Sequence, residues 1–177
     1  MDTPFYKNGL KFECQRCSAC CRHDPGYVYL SALDFIRLRS FLGLDFAEFF
    51  NKFIRMVDVG SGYAVSLKEK SNYDCIMWSP NGCSVYEARP VQCSTYPFWN
   101  SIIESAGSWA MEALECPGIN KGELISQKTI LEKVNKRRND SLLIVSYDVN
   151  LESLDEDTLL GRERILANTP DPFETAQ

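Results

Sequence analysis

The chain has 177 residues, 45% of them apolar, with ten Phe, eight Tyr and three Trp, which suits one packed domain with a tail and excludes a disordered chain. Its formal net charge of −5 opposes adsorption to phosphate backbones and anionic lipid, so neither nucleic acid nor a membrane is an expected partner. The sequence opens without a basic and apolar leader and has no run of about 18 apolar residues, so a soluble, cytoplasmic protein is expected.

In chain order, the first signal is sulfur. Cys14, Cys17, Cys20 and Cys21 spell CxxCxxCC, and Cys75, Cys83, Cys93 and Cys116 follow at wider spacing. Ser31 and Asp34 then read as a capping box opening a helix over 32–42, which Gly43 ends. A second box, Asp45 with Glu48, opens a helix whose apolar face runs Phe46, Phe49, Phe50, Phe53, Ile54 and Val57. Alternation at Tyr63, Val65 and Leu67, then at Tyr73, Cys75 and Met77, predicts two strands paired as a hairpin. Pro80-Asn81-Gly82 is a turn that delivers Cys83. Stretches 98–104 and 108–114 flank Ala106-Gly107 and predict a second hairpin. Beyond it, 122–138 reads as an amphipathic helix, whose terminal Lys133 to Arg138 run complements the helix dipole rather than marking a nucleic-acid site. The run 142–145 settles on no state. The expected architecture is α+β, a single small domain with short antiparallel hairpins and several helices organised around the cysteines. Residues 1–120 form the cysteine-cluster domain, 121–150 a helical extension packed on it, and 151–177 an acidic, loosely ordered tail around Pro170-Asp171-Pro172.

Thiols this dense in a reducing compartment point to metal rather than disulfides. Cysteines three apart converge on one ion, so Cys14, Cys17 and Cys20 make a three-point claw, while Cys21 points toward a second ion or bridges two. All eight cysteines are candidate ligands, divided as two sets of four or as one shared cluster. Sulfur-only sites select zinc, iron–sulfur or copper(I). The first three spacings also match a ferredoxin-type 4Fe–4S run, and Cys116 precedes Pro117. The lone histidine, His23, is read as an exposed loop residue or a nitrogen ligand. Arg22 and Arg89 are candidate partners of thiolate charge, against the default of solvated arginines. No phosphate loop, dinucleotide fingerprint or Ser-His-Asp set occurs, so no catalytic residue is assigned.

Phe12-Glu-Cys14-Gln-Arg-Cys17-Ser-Ala-Cys20-Cys21, then Cys75, Gly82-Cys83-Ser-Val-Tyr86, Arg89-Pro90-Val-Gln-Cys93, Tyr96-Pro97-Phe98 and Cys116-Pro117-Gly118, resemble the YkgJ-like CxxCxxCC cysteine-cluster family. The resemblance implies a zinc- or iron-chelating protein with metal at Cys14, Cys17, Cys20, Cys21, Cys75, Cys83, Cys93 and Cys116. It departs at Ser18, where the family usually has glycine. A related cysteine module in flagellin lysine methylases implies an alternative, an enzyme or enzyme subunit that modifies protein. A cleft lined by Tyr27, Tyr96, Phe98 and Trp99 would favour that alternative. A protein partner docked on 122–138 and the acidic tail is a third reading.

Overall fold

Residues 3–166 are described by the computed structural model. A short strand, β1 (Leu10–Phe12), leads into the cysteine run, and the first helix, α1 (Ala32–Leu42), starts where the sequence places it. The Ser31 hydroxyl accepts from the Asp34 amide at 3.2 Å, and Gly43 ends the helix in the left-handed region at φ 66°. The helix α2 (Phe46–Phe53) opens on a complete capping box between Asp45 and Glu48. Its Phe49 meets Phe35 of α1 edge-on, ring centroids 5.0 Å apart.

The apolar run expected to prolong α2 to Val57 instead turns extended at Ile54 and becomes β2 (Ile54–Asp58). It pairs antiparallel with β3 (Tyr63–Leu67), Met56 opposite Val65. The 73–77 stretch therefore does not partner β3; among the described residues it makes an isolated bridge from Cys75 to Glu69. The expected turn at Pro80-Asn81 does form, between β4 (Trp78–Ser79) and β5 (Gly82–Cys83).

The predicted second hairpin is helical. Three short helices follow one another, α3 (Val91–Thr95), α4 (Asn100–Ile103) and α5 (Ala106–Glu115). Ser105 caps the last of these by accepting from the Ser108 amide at 3.0 Å, so Ala106-Gly107 is a first helical turn and not a hairpin loop. Next, β6 (Ile119–Ile125) takes residues 122–125 from the expected helix and pairs Leu124 and Ile125 with β1, and α6 begins only at Gln127 (Gln127–Arg138). The undecided 142–145 run supplies β7 (Ile144–Val145), which completes a sheet of order β2-β3-β7. Of the expected acidic tail, 156–166 is helix α7 (Glu156–Leu166) with Leu159 fully buried, while 167–177 lies outside the described residues.

Two apolar bodies result. The first joins Leu30, Phe35, Leu38, Phe49, Val65, Leu143 and Leu159 across α1, α2, the three-stranded sheet and α7. The second joins Phe98, Ile102, Trp109, Ile119, Ile130 and Val134 across α4, α5, β6 and α6. Each large side chain buried in this way stabilises the fold by about 1.5–3 kcal/mol. Among the described residues no helix is long and apolar enough to cross a membrane.

Candidate metal centre

The cysteine run leaves β1 when the Glu13 amide bonds the Gly118 carbonyl at 3.0 Å. Arg16 and Ser18 then adopt left-handed backbone, φ 53° and 64°, which turns the chain sharply enough to bring successive cysteines to one side. At Ser18 this conformation is costly for an L residue and free for glycine, which explains the glycine of the related motif. The Ser18 carbonyl accepts both the Cys21 amide at 3.0 Å and the Cys21 thiol at 3.3 Å.

Three further sulfurs come from three other places. Cys75 is tied to the run directly, its amide donating to the Cys21 carbonyl at 2.9 Å. Cys83 stands on β5 and Cys93 in α3. The start of α3 is held by a carboxylate that the sequence marked only as part of a helix box. Asp34 is fully buried, and both its oxygens accept from the Val91 amide at 3.1 Å. Arg37 bonds Asp34 and also donates to the Ala88 and Arg89 carbonyls, at 3.3 Å and 2.8 Å. Gln92 fastens the opposite wall, accepting from the Tyr29 amide at 3.1 Å and donating to the Tyr27 carbonyl at 2.8 Å. Periodicity carries no signal for such contacts, since their partners lie more than fifty positions apart in sequence.

Cys14, Cys17, Cys20, Cys21, Cys75, Cys83 and Cys93 all line one cavity of about 840 Å³. Tyr27, Tyr96 and Trp99 line it as well, whereas Phe98 is fully buried in the second body and does not. Cys116 is buried in that body too and does not line the cavity. Tyr96, which lines the cavity, donates its hydroxyl to Glu112 at 2.5 Å and also interacts with Cys116. His23 is exposed and does not line the cavity.

The sulfurs feel one another. A hydrogen bond from the Cys21 thiol, aided by a backbone amide and Arg89, outweighs burial and lowers the Cys20 pKa to about 7. The same hydrogen bond, with burial and the charges of Cys20, Cys75 and Cys93, pushes the Cys21 thiol far up. Burial comes first in raising Cys75, Cys83 and Cys93, with neighbouring sulfurs adding to it. The Met77 and Val85 amides work against that rise by donating to the Cys75 and Cys83 sulfurs. Gathered thiols whose ionisation is opposed by burial and mutual repulsion call for a cation, and an all-sulfur donor set suits a thiophilic one. Among the described residues no three His, Cys, Asp or Glu side chains converge closely enough to hold an ion, so the fit rests on donor chemistry and the shared cavity.

Comparison with known proteins agrees with that chemistry. A family model named CxxCxxCC, described as "Putative zinc- or iron-chelating domain", matches residues 13–121. Two uncharacterised proteins of Methanocaldococcus jannaschii are similar. One is 26% identical over 139 residues, covering 76% of this chain and 46% of its own length. The other is 28% identical over 95 residues, covering 52% and 48%. The chain thus spans about half the length of the curated relatives it matches. No solved structure matches it.

Proposed function

The chain belongs to the CxxCxxCC family, and we propose that it binds zinc or iron through the cysteines gathered on this cavity. The observation that carries the reading is that seven cysteines from four separate parts of the chain line one cavity. Cys20, Cys21, Cys75, Cys83 and Cys93 interact electrostatically, and Cys14 and Cys17 form the exposed edge. Cys116, buried beside Tyr96, is the eighth candidate ligand. Bound there, a thiophilic ion would cross-link the cysteine run to the folded body or, as an iron–sulfur cluster, store an electron. A shell closed by sulfur leaves no position for a substrate, so the role proposed is structural, metal-handling or electron-transferring, in a reducing cytoplasm.

Anaerobic purification followed by elemental analysis and an absorption spectrum tests this. Visible sulfur-to-iron bands identify a cluster, and a colourless protein with stoichiometric zinc identifies the other metal. A protein that carries neither ends the proposal.

One observation favours a second reading, an enzyme acting on protein: the cavity is of ligand-binding size and bears Tyr27, Tyr96 and Trp99 beside the sulfurs. Cobalt-substituted protein decides it. A visible spectrum that shifts on adding azide shows an open coordination position, and an unchanged spectrum shows a closed one.

A further inference from the structure

Arg16 and Arg89 share the ring of Tyr86, their guanidinium carbons 4.7 Å and 3.6 Å from its centroid. All three residues line the cysteine cavity. Arg22, Arg37, Arg39 and Arg55 each meet a carboxylate, whereas among the described residues Arg16 and Arg89 meet none. The sequence treats Arg22 and Arg89 alike, and the structure separates them. Arg22 is neutralised by Asp74 at 3.1 Å, while Arg89 keeps its charge free and is fixed by donating its Nε–H to the Tyr86 carbonyl at 2.9 Å.

Further positive charge stands nearby. Burial, then Lys136 and Arg89, push the Lys133 ammonium below its usual pKa. Cations crowded in this way repel one another, and stacking on a ring attracts them without cancelling their charge. Of the carboxylates on the cavity wall, Glu69 is taken by Arg55 and the Gly26 amide, and Asp24 and Glu87 are exposed. Cys14, Cys17, Cys20, Cys83 and Cys93 line the same cavity as these guanidinium groups.

The geometry points to Arg89, with Arg16 beside it on Tyr86, as the fixed counter-charge of the loaded thiolate centre. This rests on the metal reading above. A divalent ion held by four thiolates replaces four protons with two positive charges and leaves about −2 on the site. A guanidinium is always charged and is no metal ligand, so it offsets that charge without competing for the ion. Arg89 is a positioning residue.

The test is zinc affinity of the reduced full chain at neutral pH, read by competition with a chromophoric chelator. Arg89→Gln is expected to weaken zinc about ten-fold or more, with Arg89→Lys remaining within about three-fold of wild type. Arg16→Gln is expected to weaken it about three-fold at low salt, with the gap narrowing as salt rises. No hydrogen bond of Arg16 is seen among the described residues, so should Arg89→Gln fail to fold, this variant decides the matter through the salt dependence of its charge effect, its contact on Tyr86 being independent of salt. Lys failing as badly as Gln at position 89, or Arg16→Gln matching wild type at low salt, overturns the assignment. A wild type that binds neither zinc nor iron overturns the metal reading itself.

Discussion

Cys75, Cys83 and Cys93 stand on elements that the rest of the fold holds in place, whereas Cys14 and Cys17 stand on a segment held mainly by its own turns. Cys75 and Cys83 pack against the first apolar body, and the helix bearing Cys93 is fastened to buried Asp34. Cys14 and Cys17 are exposed and flank Arg16 in its left-handed conformation. One wall of the site is thus a product of tertiary structure, and the other is written into local sequence. The difference teaches where a bound ion would matter most: at the run, which has least else to hold it.

Removing metal with a chelator under reducing conditions should break the comparison most visibly. Structural thiolate sites contribute about 10 kcal/mol or more, so the melting temperature should fall by roughly 10 °C or more. Limited proteolysis should then cut within 13–22 before it cuts the helices. Cleavage spread evenly over the chain would show that the two walls are equally dependent on the ion.

A core truncation probes the other wall. Phe49→Ala should cost about 3–5 kcal/mol by denaturant unfolding, to the same extent with and without metal, because Phe49 is fully buried in the first body. A cost that vanishes on chelation would mean that this body does not stand without the ion.

A smaller effect should follow pH. Burial, then the charge of Asp34, pushes the Asp140 carboxyl from an ordinary 3.8 up to about 6. A raised carboxyl binds its proton more tightly in the folded state, so its contribution is complete below about pH 4 and is lost as pH rises through about 6. Asp140→Asn should remove that slope and leave the variant more stable at pH 7, by about 1 kcal/mol after solvent screening. Parallel stability curves for the two proteins between pH 4 and 7 would refute it.

Ser18→Gly should give the smallest change. Relief of the left-handed backbone, worth about 1–2 kcal/mol, is partly offset by the greater freedom of glycine in the unfolded chain, so a gain of about 0.5 kcal/mol is expected. A loss on equilibrium unfolding would show that the Ser18 side chain contributes more than its backbone costs.

Caps made much of the fold legible. Ser31 and Asp45 fix the starts of α1 and α2, because an N-cap is a contact between residues three apart. The end of α2 was not legible, since the apolar run from Phe46 to Val57 suits a helix face and a buried strand alike, and pairing with β3 decides for the strand. The stretch after Ala106 misled for the opposite reason: Ala-Gly serves a hairpin turn as well as a helix start, and only the Ser105 cap distinguishes them. Gly122 looked like a helix boundary but lies inside β6, where β1 supplies the partner.

By itself the sequence determined the candidate donors, eight sulfurs with the CxxCxxCC spacing, and an α+β body, because residue softness and capping are read from residues near one another in the chain. Only the tertiary structure decided which sulfurs share a wall, that Cys116 is buried apart from them beside Tyr96, and that Arg89 keeps its charge while Arg22 spends its own on Asp74. Those outcomes depend on contacts between segments far apart in sequence, whose pairing is settled by packing and burial rather than by any local pattern.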